Sequence, residues 1–334
     1  MVTDPSYRGQ ILSLTSPMTG NYGVNEYDYE SALPQVEGLL VKEYCRQPRS
    51  WRARESLGAL LDRHGIIGVE GIDTRSLTLH LRRAGTMKGA LSTIESNPGA
   101  LLRRICDFPG IGSRDLVGEV TSQAAHPWTE RSPEIVARVD CRETAATDKD
   151  IHVVVYDFGV KYSILRSLAN LGCQVTVVPC RTSAAEVLGL KPNGILLSNG
   201  PGDPEACRDF LPAIRGILGR VPVFGICLGH QLLGMALDFS TFKLPFGHRG
   251  GNHPVRELAS GKVSMTSQNH GYCLQPGEKT GTTVPTHINL NDGTLEGLEN
   301  RDQRLFSVQY HPEAAPGPRD SINLFKRFMA MMQK

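Results

Sequence analysis

The chain has 334 residues, 36 of them Lys or Arg and 34 Asp or Glu, for a net charge of +2. That balance gives no electrostatic ground for binding nucleic acid or an anionic membrane surface. No apolar run approaches the ~20 residues of a membrane-spanning helix. With 40% hydrophobic residues the chain can bury real cores, and its length suits two domains. Eight cysteines without one C-x-x-C pair signal neither a zinc ribbon nor a dithiol redox site. Mostly free, buried thiols in a reducing cytosol fit that usage. The opening Met1-Val2-Thr3-Asp4-Pro5 does not read as a signal peptide.

Residues 1–125 mix short apolar runs, Ile11-Leu12-Ser13-Leu14 and Val36 to Val41, with turn punctuation such as Gly20-Asn21-Tyr22-Gly23. A helix is predicted over Ser56–His64, with Leu57, Leu60 and Leu61 on one face and Gly65 as its C-cap. A second begins near Thr74 and ends at Gly85. Short strands with a few helices predict a small α+β domain. Residues 126–150 are polar and weakly patterned and read as a linker, with one strand around Ile135–Val139. Residues 151–334 then carry a clear alternation. Apolar runs at 151–156, 175–178, 194–198 and 221–226 read as strands buried on both faces. Helical segments near 161–171, 183–188, 208–218 and 229–237 separate them, which predicts a doubly wound, mostly parallel α/β sheet. Strands at 262–266 and 305–310 and an amphipathic helix over 322–332 complete the chain.

Sites in such sheets lie beyond the carboxyl ends of the strands, and three loops fall there. Gly225-Ile226-Cys227-Leu228-Gly229 joins a strand directly to a helix and has the form of a nucleophile elbow with cysteine in place of serine. A thiol at a helix N-terminus is biased toward thiolate. Tyr310-His311-Pro312-Glu313 follows another strand. His311 could take the thiol proton and return one to a leaving amine, with Glu313 orienting the ring. Asn199-Gly200-Pro201-Gly202-Asp203-Pro204 offers glycines whose amides can approach a ligand or a developing oxyanion. Gln231, one helical turn past Cys227, can face the same pocket, and Ser267 to Tyr272 adds amide and backbone groups. His230 points to another side of its helix. His248 and His253 read as members of a Gly-rich loop without ligand spacing, so no metal is expected.

These loops, in this order, resemble the triad-type, class I glutamine amidotransferase domain, a flavodoxin-like α/β fold. The resemblance of the whole chain is more specific. Asp4-Pro5-Ser6-Tyr7, Gly20 to Asn25, Gly71-Ile72-Asp73-Thr74-Arg75 and Phe246 to Pro254 are similar to the small subunit of carbamoyl phosphate synthetase. The resemblance implies Cys227 as the nucleophile that forms a γ-glutamyl thioester, His311 as the acid and base, and Glu313 as its orienting group. It places Gly200, Gly202, Leu228, Gln231, Asn269, Gly271 and Tyr272 around glutamine or its oxyanion, Tyr272 standing where the family often has phenylalanine. It implies no cofactor in this chain and a large subunit as partner. That subunit would use the released ammonia, ATP and Mg²⁺ to make carbamoyl phosphate from bicarbonate, for arginine, for pyrimidines or for both. No P-loop motif is present in this sequence. The family pattern also has a strand-rich segment ahead of Asp4-Pro5-Ser6-Tyr7, with a serine that contacts glutamine, and the expectation is that this contact has no residue here and that the first domain is truncated. The alternatives are a stand-alone thiol amidase or γ-glutamyl hydrolase of the same fold, or an inactive regulatory subunit.

Overall fold

The computed structural model describes residues 1–133, 150–276 and 281–333. The strand expected around Ile135–Val139 lies outside the described residues. In the first domain β1 (Ile11–Ser13), β2 (Gly38–Leu40) and β3 (Ile67–Val69) form a parallel sheet in that order. Helix Leu57–Arg63 starts where Ser56 Oγ accepts the amide of Ala59, and turns Leu57, Leu60 and Leu61 into a core with Leu12, Val36 and Leu39. Helix Thr74–Ala84 is capped by Asp73 and stopped by Gly85 at φ +89°. The α+β expectation holds for this part. The sequence reading passed over helix Pro98–Asp107, which has an Asn97 cap, a Pro at its start and no buried residue.

Among the described residues the second sheet has ten strands. β4 (His126–Trp128) pairs antiparallel with β6 (Gln174–Pro179) at one edge. Residues counted within the linker therefore belong to the larger sheet. β6, β5 (His152–Asp157), β7 (Gly194–Leu197), β8 (Val223–Ile226) and β13 (Leu305–Val308) run parallel in that spatial order. Alternate residues of β5 separate two cores, as the period of two requires. Val153 and Val155 pack with Ile164, Leu168, Phe325 and Phe328 on one face; Val154 and Tyr156 pack with Ile214, Ile217, Leu232 and Leu233 on the other. Each such side chain contributes ~1.5–3 kcal/mol on full burial, and helices on both faces make this part doubly wound.

The far half of the sheet is antiparallel, so the sheet as a whole is mixed. β12 (Leu295–Asn300), β11 (Val284–Asn289), β9 (Ser240–Glu257) and β10 (Val263–Gln275) extend it beyond β13. The stretch that holds His248 and His253 is thus part of an 18-residue strand rather than a loop. Its glycines and prolines hid it from a reading based on apolar runs, and pairing with β10 along most of its length supplies the hydrogen bonds that local propensity does not.

The domains are joined through buried polar groups. The carboxylate of Glu30 accepts the Ser163 amide at 3.0 Å and its hydroxyl at 2.6 Å. Arg166 donates to the carbonyls of Tyr27 and Tyr29.

Candidate active site

β8 ends and helix Leu228–Ala236 begins with a single residue between them, Cys227. Its backbone sits at φ 54°, ψ −105°, a strained conformation for a residue with a side chain. The surrounding glycines are required by close approach. A Cβ on Gly229 would lie 2.1 Å from the carbonyl oxygen of Leu197, and one on Gly225 would lie 2.8 Å from the oxygen of Gly229. The first turn of the helix therefore rests directly on the backbone of β7. The turn is tied down by Cys227 N donating to Val308 O and Gly229 N donating to Ser198 O. Cys227 is buried, with Sγ 3.9 Å from the carbonyl oxygen of Asn269. First-turn amides have no partner within their helix; that of Gly229 is taken by Ser198 O, which leaves the amide of Leu228, next to the thiol in sequence, as a donor for a developing negative charge.

β13 lies parallel to β8, with Ile226 opposite Val308. The two strands end together, which puts the loop carrying His311 beside the elbow although 84 positions separate the residues. His311 N donates to Ser267 O, and its ring Nδ1 lies 2.7 Å from Glu313 Oε1. Nε2 completes no hydrogen bond and is the nitrogen left for the thiol. The charge of Cys227 is nonetheless felt at the ring. Such a contact is commonly loose before substrate arrives.

Lys161 is the member the sequence reading missed. Its Nζ stands 3.0 Å from the same Glu313 Oε1 and donates to Ala314 O at 2.6 Å, and it is fully buried. A signal existed: Lys161 begins a helix, where a cation opposes the dipole and needs another reason to be present. Burial alone would raise the Glu313 carboxyl, but Lys161 and then His311 outweigh it and hold the group down at about 2. Burial would lower the His311 imidazole, but Glu313 and then Cys227 push it up to about 10. The arrangement therefore supports an imidazolium beside Cys227.

The other expected residues gather around this pair. A Cβ on Gly200 would lie 2.1 Å from Phe158 O and 2.8 Å from Leu228 Cδ2, so the glycine lets its loop press against both. Gly202 has φ +96°. Asn199 holds the loop, donating to Ser6 Oγ at 2.9 Å and to Gly159 O at 3.0 Å, and accepting from Lys161 N. Ser6, from the first domain, thus stands at this loop. Gln231 Nε2 donates to Tyr272 O at 2.8 Å and to Gln309 Oε1 at 3.1 Å. Asn269 Nδ2 is buried without a partner. Burial and a hydrogen bond to Asp203 raise the Tyr272 hydroxyl, tying it to the Gly200–Gly202 loop. Gly271 lies between His270 and Tyr272 on β10. His230 stays outside this group: its Nδ1 is 2.8 Å from Ser307 Oγ, and burial lowers it to about 3.

Residues 154–331 match the model of the class-I glutamine amidotransferases, and residues 1–91 that of the carbamoyl-phosphate synthase small chain, CPSase domain. The chain is 48% identical over 334 residues to the carbamoyl phosphate synthase small chain of Syntrophotalea carbinolica, covering all of this chain and 88% of that one. It is 48% identical over 332 residues to the small chain of Akkermansia muciniphila, covering 99% and 87%. It is 46% identical over 335 residues to the pyrimidine-specific small chain of Bacillus subtilis, covering 100% and 86%. Among the described residues no helix is long and apolar enough to cross a membrane.

Proposed function

The chain belongs to the family of carbamoyl phosphate synthase small chains and is its glutamine amidotransferase component, and from that premise we propose how its residues hydrolyse glutamine. The Cys227 thiolate, its proton already on His311, attacks the side-chain amide carbon. The first-turn amide of Leu228 and the amide of Gly200 receive the oxyanion. As the tetrahedral centre collapses, the C–N bond breaks and His311 Nε2 gives its proton to the leaving nitrogen, releasing ammonia and leaving a thioester. His311, now neutral, takes a proton from water, and the hydroxide equivalent cleaves the thioester to glutamate and regenerates the thiolate. Glu313, anchored by Lys161, keeps the ring in one tautomer. Gly202, Gln231, Asn269, Gly271 and Tyr272 hold the amino-acid end of the substrate.

A small chain implies a large-chain partner. The ammonia passes to that chain, where ATP and Mg²⁺ are used with bicarbonate to make carbamoyl phosphate. Residues 1–125 are the domain peculiar to small chains and residues 151–334 the amidotransferase domain.

The observation that carries this reading is Cys227 in a strained strand-to-helix bend beside the His311–Glu313 pair. The test is Cys227→Ser in the complex with the large chain. Glutamate release should fall at least ~10³-fold, in keeping with loss of an activated nucleophile. Covalent labelling by a glutamine-analogue electrophile should vanish with it. Undiminished turnover would overturn the assignment.

A further inference from the structure

One side-chain amide of the glutamine site has its direction fixed from two sides. Gln231 is almost fully buried on the helix that starts after Cys227. Its Nε2 donates to Tyr272 O at 2.8 Å and to Gln309 Oε1 at 3.1 Å. A backbone carbonyl can only accept, so the nitrogen of Gln231, and not its oxygen, must face Tyr272. Both amide hydrogens are then in use. Oε1 has no hydrogen-bond partner among the described residues, and it is not one of the unpartnered side-chain atoms sealed from solvent. Gln231 therefore offers the pocket an acceptor and no donor.

Gln309 supplies the second anchor. It follows β13, two residues before His311, and its backbone amide donates to Glu296 O at 2.9 Å. Ser307 and Gln309 share one face of this extended segment, as alternate residues do, and they meet successive residues of the helix. Ser307 Oγ lies 2.8 Å from His230 Nδ1, and Gln309 Oε1 accepts from Gln231. Gln309 is fully buried, and the bond to Gln231 is the single hydrogen bond of its side chain among the described residues, where its Nε2 has no partner. Turning the Gln309 amide over would set its NH₂ against that of Gln231, two donors face to face, so the network fixes this orientation too. A buried amide that makes one bond adds little to the fold. Its distinct effect is to withhold the Gln231 NH₂ from the pocket.

We propose that Gln309 is a positioning residue for glutamine binding: with the Tyr272 carbonyl it holds the Gln231 amide in one orientation, so that an oxygen and not an NH₂ group meets the substrate. The amino-acid end of glutamine carries one donor, its α-ammonium. Gln231 stands one helical turn, ~6 Å of rise, beyond the thiol that attacks the other end, and an acceptor there suits that ammonium. A Gln231 amide free to turn would oppose it with a second donor.

This inference rests on the reading of Gln231 as a glutamine contact, and the experiment keeps the two apart. Glutamine hydrolysis is measured in the complex with the large chain for the parent, Gln309→Met, Gln231→Met and the double variant. Gln309→Met removes the acceptor at similar volume. It should raise KM for glutamine about five-fold with kcat within about two-fold, the net effect of one hydrogen bond. Gln231→Met should raise KM at least as much. In the double variant the added Gln309→Met should change KM by less than about two-fold, because a residue that acts through Gln231 then has nothing to hold. Effects that multiply in the double variant, or a Gln309→Met variant with parental KM, would overturn the proposal. So would a Gln309→Met chain that fails to fold, since the side chain would then support the structure and not the site. If Gln231→Met does not fold, the KM of Gln309→Met decides alone. Parental KM in Gln231→Met would instead defeat the assignment of Gln231 itself, and the proposal with it.

Discussion

Lys161 Nζ and His311 Nδ1 converge on one oxygen of Glu313, at 3.0 and 2.7 Å. The lysine comes from the end of β5 and the histidine from the end of β13, so one carboxylate ties together strands on both sides of the elbow. Lys161 is also within electrostatic reach of Glu30 and Asp4 in the first domain. Removing it leaves Glu313 buried and short of a partner. Lys161→Met is expected to cost ~3–5 kcal/mol of stability, as breaking a buried pair does, and to lower kcat more than it raises KM. Denaturant unfolding together with steady-state hydrolysis checks both.

The same pair sets an acid limit. Despite burial, Lys161 and His311 hold Glu313 at about 2 against an ordinary 4.5. A depressed carboxylate contributes stability that is fully present above 4.5 and is lost as pH falls through about 2. Acid unfolding of the parent should draw on this window, and Lys161→Met, which lacks most of that contribution, should unfold at higher pH. Coincident acid transitions for the two proteins would contradict the assignment.

His311 sets the alkaline side. Against burial, Glu313 and then Cys227 raise it to about 10 from 6.5. A raised histidine contributes stability that is complete below 6.5 and disappears as pH rises through about 10. The imidazolium is also the acid that protonates departing ammonia. Glu313→Gln should therefore move the alkaline limb of the hydrolysis profile to lower pH and reduce kcat by ~10²-fold or more. An alkaline limb that does not move would remove Glu313 from the charge balance of the ring.

Close backbone approach makes two glycines intolerant. Gly200→Ala and Gly229→Ala would each put a methyl 2.1 Å from a backbone oxygen, which has no flexible end to move aside. Each should lose ~3 kcal/mol or more, in the range of overpacking and strain, along with most activity. Gly189→Ala, at a helical position with nothing within 4 Å of the new methyl, should be neutral or stabilising by up to ~1 kcal/mol. Thermal melts of the three variants test the contrast.

The contact between Ser6 and Asn199 joins the first domain to the loop of Gly200. Ser6→Ala removes the acceptor at 2.9 Å, while Gly159 O keeps the other bond of the same amide. The expected loss is ~1 kcal/mol, with a KM for glutamine several-fold higher and kcat little changed. Unaltered KM would mean that the first domain does not help to set the loop.

The elbow was legible because its chemistry and its spacing are local. Two glycines flanking Cys227 between an apolar strand and a helix state the turn, the strain and the thiol in five consecutive residues. Helix ends were legible for the same reason: Ser56, Asp73, Gly65 and Gly85 act on backbone groups one turn away. β9 was not, since its partners lie in β10 and β11 and its own residues include four glycines or prolines from Pro245 to Gly251. Lys161 was passed over because its meaning depends on a carboxylate 152 positions later.

By itself the sequence determined the residue types, the turns that display them and the alternating strands that fill two cores, since each follows from steric and hydrophobic rules acting over a few residues. Only the tertiary structure decided which polar groups meet. The adjacency of β8 and β13 brings His311 to Cys227, the burial of Lys161 fixes the charge of Glu313, and the approach of β12 to β10 brings Glu296 to Gln268. Those encounters depend on strand order and on the low dielectric of the packed interior, which exist only once the whole sheet has formed.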